Sequence, residues 1–149
     1  MDTAGSLKAS MPITEQQLAA LFGRAQTAAS HAYAPYSRFR VGAALLFSDG
    51  AVVTGCNVEN ASYGLSSCAE RNALFRAVSE GGPTVRVVAI AVANLNDASS
   101  PPCGACRQVL SEFVTESAVV VFPGAGGVPE APVPFRTLFP HGFHMERGS

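Results

Sequence analysis

Apolar and polar positions change rhythm several times along this chain, and each change predicts an element. Residues 1–12 are small and polar for the most part and read as a flexible N-terminal extension. Thr14 and Gln17 form a capping-box pair, and Leu18, Leu21, Phe22 and Ala25 then recur at helical spacing. That helix is expected to reach about His31, before Ala34-Pro35-Tyr36-Ser37 turns the chain. The apolar run 41–47, the Ser48-Asp49-Gly50 turn and Val52-Val53-Thr54 predict a β-hairpin. A polar loop over 55–64 follows. Ser66 or Ser67 is expected to cap a second helix over 68–79, which Gly81-Gly82-Pro83 ends.

The third strand, 85–93, is apolar throughout and is expected to lie centrally in its sheet. After a loop over 94–102, a third long helix is expected from Cys103 to about Glu116, with Pro102 just ahead of it. A fourth strand is expected over 118–122, and a short fifth near 128–133 in a stretch rich in glycine and proline. The last apolar stretch, 135–143, is broken by Pro140. Helices alternating with strands predict an α/β fold, a three-layer α-β-α sandwich, as one domain over 13–149.

Composition narrows the possible partners. The 149 residues suit one core, yet 48% are hydrophobic and only 14% charged. That is more apolar than a solvated monomer needs, so some apolar surface is expected between subunits. Ten Lys and Arg against eleven Asp and Glu provide no basic face, so nucleic acid is not an expected partner. No apolar run is long enough to span a bilayer, and residues 1–12 lack the apolar stretch of a signal peptide. A cytoplasmic location with no membrane partner is therefore expected. Four cysteines in an unsecreted chain point to reduced thiols and metal.

Three of those cysteines stand in Cys68-Ala69-Glu70 and Pro102-Cys103-Gly104-Ala105-Cys106. Three thiolates can hold one Zn²⁺ and leave its fourth position open, which is what separates a catalytic zinc from a structural one. Glu70, two residues from a ligand, can handle the protons of water bound there. Cys68 and Cys103 both fall at predicted helix starts, where unpaired N–H groups favour the thiolate. Cys106 lies one turn after Cys103, so both sulfurs can face one ion. Three thiolates and Zn²⁺ sum to one negative charge, and Arg71 is spaced to hydrogen-bond a ligand sulfur and offset it. The plainer alternative for Arg71 is a solvent-facing helical residue, but its spacing puts the sulfur-bonding role ahead.

Competing readings use the same residues. Cys56 as a fourth ligand would make a closed structural zinc, although it reads better as a small hydrophobe at a strand end. Cys103-Gly-Ala-Cys106 alone has thioredoxin-type redox spacing, but that motif needs no Cys-x-Glu partner. His141 and His144 are read as exposed, and His31 as lying at a helix end.

At these residues the chain resembles the cytidine deaminases, the small homotetrameric zinc-dependent kind. Tyr33-Ala34-Pro35-Tyr36-Ser37, Phe39, Val41-Gly42-Ala43-Ala44-Leu45, Gly55-Cys56-Asn57-Val58-Glu59-Asn60-Ala61, Cys68-Ala69-Glu70-Arg71 and Pro102-Cys103-Gly104-Ala105-Cys106-Arg107-Gln108-Val109 carry the resemblance. It implies a five-stranded mixed sheet with helices on both sides. It implies zinc on Cys68, Cys103 and Cys106, one ion per chain, with Glu70 as the proton shuttle. It implies hydrolysis of cytidine and 2′-deoxycytidine to uridine and 2′-deoxyuridine plus ammonia, in pyrimidine salvage. Asn57 and Glu59 would hold the ribose hydroxyls, Phe39 would flank the pyrimidine, and Ala69 would touch the substrate. Ala61 and Tyr63 would come from an adjacent subunit of the homotetramer, and Phe143 would cover the base. Asn57 and Glu59 lie two apart in an extended loop, so both can point the same way, although ordinary loop polars would look alike. Phe39 and Phe143, taken alone, would be core residues.

The extension over 1–12 and the glycine- and proline-rich segment 124–135 depart from the family, which usually has a regular strand and a short acidic helix in the latter place. A polynucleotide deaminase would need a basic surface that the composition lacks. A deaminase of another aminated base, such as blasticidin S, would share the zinc motifs but not the Asn57-x-Glu59 pair with Phe39. A zinc-binding interaction module would hold its ion with four protein ligands.

Overall fold

The computed structural model describes residues 12–148. The extension expected over 1–12 therefore lies, except for Pro12, outside the described residues. The elements in chain order are α1 (Glu15–Ala29), β1 (Val41–Phe47), β2 (Val52–Cys56), α2 (Ala69–Gly81) and β3 (Val87–Asn94). They continue with α3 (Gly104–Leu110), β4 (Val114–Val121), β5 (Val133–Pro134) and α4 (Phe135–Leu138).

Helix α1 starts where the capping box predicted. Gln17 N donates to Thr14 Oγ1 at 3.1 Å, and Thr14 N donates to Gln17 Oε1 at 2.9 Å. Leu18, Leu21, Phe22 and Ala25 form its buried face. The sheet runs β2-β1-β3-β4-β5 and is mixed: β3 and β4 pair in parallel, and the other neighbours pair antiparallel. Strand β3 takes the middle place that its unbroken apolar run predicted.

The pleat sorts side chains onto two faces. Ala44, Ala89, Ala91 and Ala93 join the buried face of α1 on one side. Ala43, Leu45, Ile90, Val92 and Val120 join Leu74 of α2, Leu110 of α3 and Phe135 of α4 on the other. The result is a three-layer sandwich. Burying each large aliphatic side chain stabilises the fold by about 1.5–3 kcal/mol. Leu45, Leu74, Ile90 and Leu110 are all fully buried.

Two glycines let helices rest directly on the sheet. A Cβ at Gly42 would stand 2.0 Å from Ala25 O of α1. A Cβ at Gly55 would stand 2.5 Å from Ala73 N and 2.7 Å from Ala69 O of α2. The second contact fixes the start of α2, where the chemistry gathers.

Several boundaries differ from expectation. Helix α3 ends at Leu110 and not near Glu116, because Ser111 caps it and Val114 already pairs with Val87. The β-branched Val114 and Thr115 favour the strand. Neither Ser66 nor Ser67 caps α2. Cys68 takes the N-cap position without a side-chain cap, while Ser66 Oγ accepts from Asn60 N and Ser67 Oγ donates to Asn72 Oδ1. The fifth strand is only Val133–Pro134, paired to Val120 and Val119. Pro129, Pro132 and Pro134 lack the N–H that a longer ladder needs.

Candidate metal centre and active site

The site lies where β2 and β3 end and β1 begins. After Cys56 the chain leaves the sheet and doubles back: Val58 N donates to Ser67 O at 3.0 Å, and Ser67 N donates to Val58 O at 2.9 Å. This return delivers Cys68 to the start of α2. Asn72 locks the arrangement, donating from Nδ2 to Cys56 O at 2.8 Å and accepting from Ser67 Oγ at 2.6 Å. On the other side, Asn94 gathers the loop after β3. Its Nδ2 donates to Ala98 O at 2.7 Å and to Ser100 Oγ at 2.8 Å. That loop leads into Cys103, the N-cap of α3, and Arg107 Nε holds Pro102 O at 2.7 Å.

Two helix starts thus converge, as the pattern predicted. Cys68 Sγ and Cys103 Sγ are 3.8 Å apart, and the sulfurs of Cys68, Cys103 and Cys106 all lie within 4.8 Å of one another. Zn–S bonds of about 2.3 Å place tetrahedral ligand sulfurs about 3.8 Å apart, so the donor set and its spacing suit zinc. Cys56 is not part of this group. It is a half-buried thiol at the end of β2, and burial pushes its pKa up.

Arg71 reaches back from the first turn of α2, and its Nη2 donates to Cys68 Sγ at 3.4 Å. Hydrogen bonding from the Cys106 thiol, with Arg71 beside it, brings Cys68 down to about 5. Hydrogen bonding to Cys68 and burial push the Cys106 thiol up. Glu70 is 4% exposed and is the one buried charged residue among the described residues. Burial pushes its carboxyl up to about 7, and the Cys68 thiolate adds to the rise.

A cavity of about 260 Å³ opens over these groups. Cys68, Ala69, Glu70 and Cys103 line it, together with apolar Phe39, Val41 and Val92. Asn57 and Glu59 line its rim together with Ser37. The Asn57 amide braces the start of β1: Val41 N donates to Oδ1 and Nδ2 donates to Phe39 O, both at 2.8 Å. One amide hydrogen stays free for a ligand. Glu59 Oε1 accepts from Tyr36 N at 3.0 Å and Ser37 N at 3.1 Å, and Oε2 accepts from Ser37 Oγ. The Ser37 hydroxyl, helped by the two amides, holds the Glu59 carboxyl below its ordinary value.

Residues 15–122 match the model of the cytidine and deoxycytidylate deaminase zinc-binding region. The chain belongs to that family. It is 63% identical over 82 residues to a cytidine deaminase of Halalkalibacterium halodurans, covering 55% of this chain and 61% of that relative. The chain thus spans about three-fifths of that protein's length. It is 44% identical over 109 residues to a cytidine deaminase of Sporosarcina psychrophila, covering 72% of this chain and 77% of that one. The crystal structure of a cytidine deaminase from Burkholderia pseudomallei superposes with a TM-score of 0.75 at 45% identity, over 88% of this chain and all of that one (100%). Zinc is the metal of this deaminase family, and its candidate ligands here are the three clustered cysteines.

Of the residues singled out in the sequence, Phe39, Asn57, Glu59, Cys68, Ala69, Glu70 and Cys103 share the cavity. Cys106 sits behind it, and Arg71 touches Cys68. Ala61, Tyr63 and Phe143 do not line the cavity of their own chain, and all three are exposed. Sequence reasoning missed Ser37, Asn72 and Asn94. Asn72 had a signal, because asparagine inside a helix is disfavoured unless its side chain works elsewhere.

Proposed function

We propose that the chain hydrolyses cytidine and 2′-deoxycytidine to the corresponding uridines and ammonia. The observation that carries this reading is the burial of Glu70 in one cavity with the cysteine sulfurs, under a rim of Asn57 and Glu59. Zinc on Cys68, Cys103 and Cys106 would supply a Lewis acid that lowers the pKa of water. Glu70 takes a proton from that water as its oxygen adds to C4, and gives the proton to N3. Glu70 then carries a second proton to the departing amine, the C4–N bond breaks, and ammonia leaves. Arg71 offsets the surplus negative charge of the thiolates. Phe39 flanks the ring, Ala69 contacts it, and Asn57 and Glu59 take the ribose hydroxyls.

A homotetramer completes this reading. Tyr63 and Leu65 are 81% and 73% exposed, and Phe75 is 53% exposed, which is costly apolar surface for a free chain. Ala61, Tyr63 and Phe143 are assigned to neighbouring cavities, with Phe143 covering the base. A place in cytoplasmic pyrimidine salvage fits a nucleoside substrate and described helices too short or too polar to cross a membrane.

Glu70→Gln tests the chemistry. The variant should keep one zinc per chain and lose on the order of 10³-fold in kcat, because a single group serves as base and acid. Near-normal turnover in that variant would remove Glu70 from the mechanism.

A further inference from the structure

The two residues after Cys106 hold the C-terminal segment. Arg107 Nη1 donates to Leu138 O at 2.8 Å, at the end of α4. Gln108 then grips Phe143 at both backbone groups: Nε2 donates to Phe143 O at 2.9 Å, and Oε1 accepts from Phe143 N at 3.2 Å. A side-chain amide carries the same donor and acceptor as a peptide group. It can therefore pair with one residue as a neighbouring strand would. Past Phe139, no other hydrogen bond among the described residues ties this segment to the rest of the chain. The backbone of Phe143 is pinned while its side chain stays 68% exposed. A fixed backbone under a free ring is the arrangement of a side chain presented outward.

We propose that Gln108 is the positioning residue that sets where the Phe143 ring is presented to a neighbouring subunit. This rests on the reading above, in which Phe143 covers the base in that subunit's cavity. Helix α3 carries Cys106 and is N-capped by Cys103, so the amide that grips Phe143 belongs to the helix that builds the metal group. The metal group of one chain and the base cover of the next then share one rigid element. Gln108 touches no substrate in this scheme. It acts through Phe143, on substrate binding more than on the chemical step.

The test uses the zinc-loaded enzyme and two variants at the grip. Gln108→Glu keeps the shape but turns the donor into an acceptor facing Phe143 O, and Gln108→Leu removes both bonds. Each should raise KM for cytidine on the order of tenfold, through two lost neutral hydrogen bonds in Gln108→Leu and one lost bond plus oxygen–oxygen repulsion in Gln108→Glu, with kcat within about twofold and zinc content unchanged. Phe143→Ala should raise KM comparably, and adding Gln108→Leu to it should raise KM little further. The chain has no Trp, so Phe143→Trp is a site-specific fluorescence probe. Its anisotropy should fall when Gln108→Leu is added. Unchanged anisotropy and unchanged KM in the Gln108 variants, with KM raised in Phe143→Ala, would overturn the proposal. Unchanged KM in Phe143→Ala would instead overturn the base-cover reading, and the anisotropy would still decide whether Gln108 anchors the segment.

Discussion

Glu59 shows how a single side chain is prepared before any ligand arrives. Three donors from Tyr36 and Ser37 converge on its carboxylate, with the Ser37 hydroxyl contributing most to the lowered pKa. A carboxyl with a depressed folded-state pKa stabilises the fold above its unfolded pKa, and that contribution is lost as pH falls through the folded value. Glu59 should therefore stay ionised at acidities where an ordinary glutamate, near 4.5, is already protonated. Ser37→Ala removes the largest cause, so the Glu59 pKa should move up toward that value. Carboxyl-carbon NMR titration reads the change directly, and an unmoved titration would show that the hydroxyl does not set it. The sequence could name Glu59 as a candidate but could not name its partner, because Ser37 stands 22 residues away and only folding joins them. The cysteines were more legible, since Cys103 and Cys106 share one turn and their chemistry is restricted to few roles.

Elements were legible where the local signal and the tertiary contacts agree. The capping box, the hairpin and the central strand follow from patterns only a few residues long. Helix α3 was overextended because residues 111–116 carry no glycine or proline to stop a helix, and only pairing with β3 shows that Val114 belongs to the sheet. The short β5 was hidden for a related reason: prolines limit it, and a single neighbour defines it. The glycines that seat the helices could be seen in the sequence but not understood there. At Gly55, an added Cβ would meet the backbone of α2 at 2.5 Å, where no flexible side chain can yield. Gly55→Ala should cost about 1–3 kcal/mol in urea unfolding, as overpacking does. It should also weaken zinc binding, because the shifted helix begins at Cys68. A variant with wild-type stability and zinc affinity would show that this close approach does not hold α2 in place.

At the scale of the whole molecule, the proposal is that neighbouring copies of the chain complete the cavity. Three of the residues expected at the substrate, Ala61, Tyr63 and Phe143, are exposed and do not line the cavity of their own chain. Exposed Tyr63, Leu65 and Phe75 fit burial against other copies. Sedimentation equilibrium should give a mass four times that of the 15.4 kDa chain, and a monomer that turns over cytidine normally would contradict shared sites. The apolar excess in the composition gives the same expectation of subunit contacts, but no sequence pattern specifies which faces would meet.

We propose that these three cysteines and Glu70 form a cytidine-deaminating centre. The deciding measurement is the ultraviolet absorbance of cytidine, followed with purified protein whose zinc content is measured in the same sample. Loss of the cytidine absorbance with about one zinc per chain is the predicted result. A sample with stoichiometric zinc that turns over neither cytidine nor 2′-deoxycytidine would contradict it.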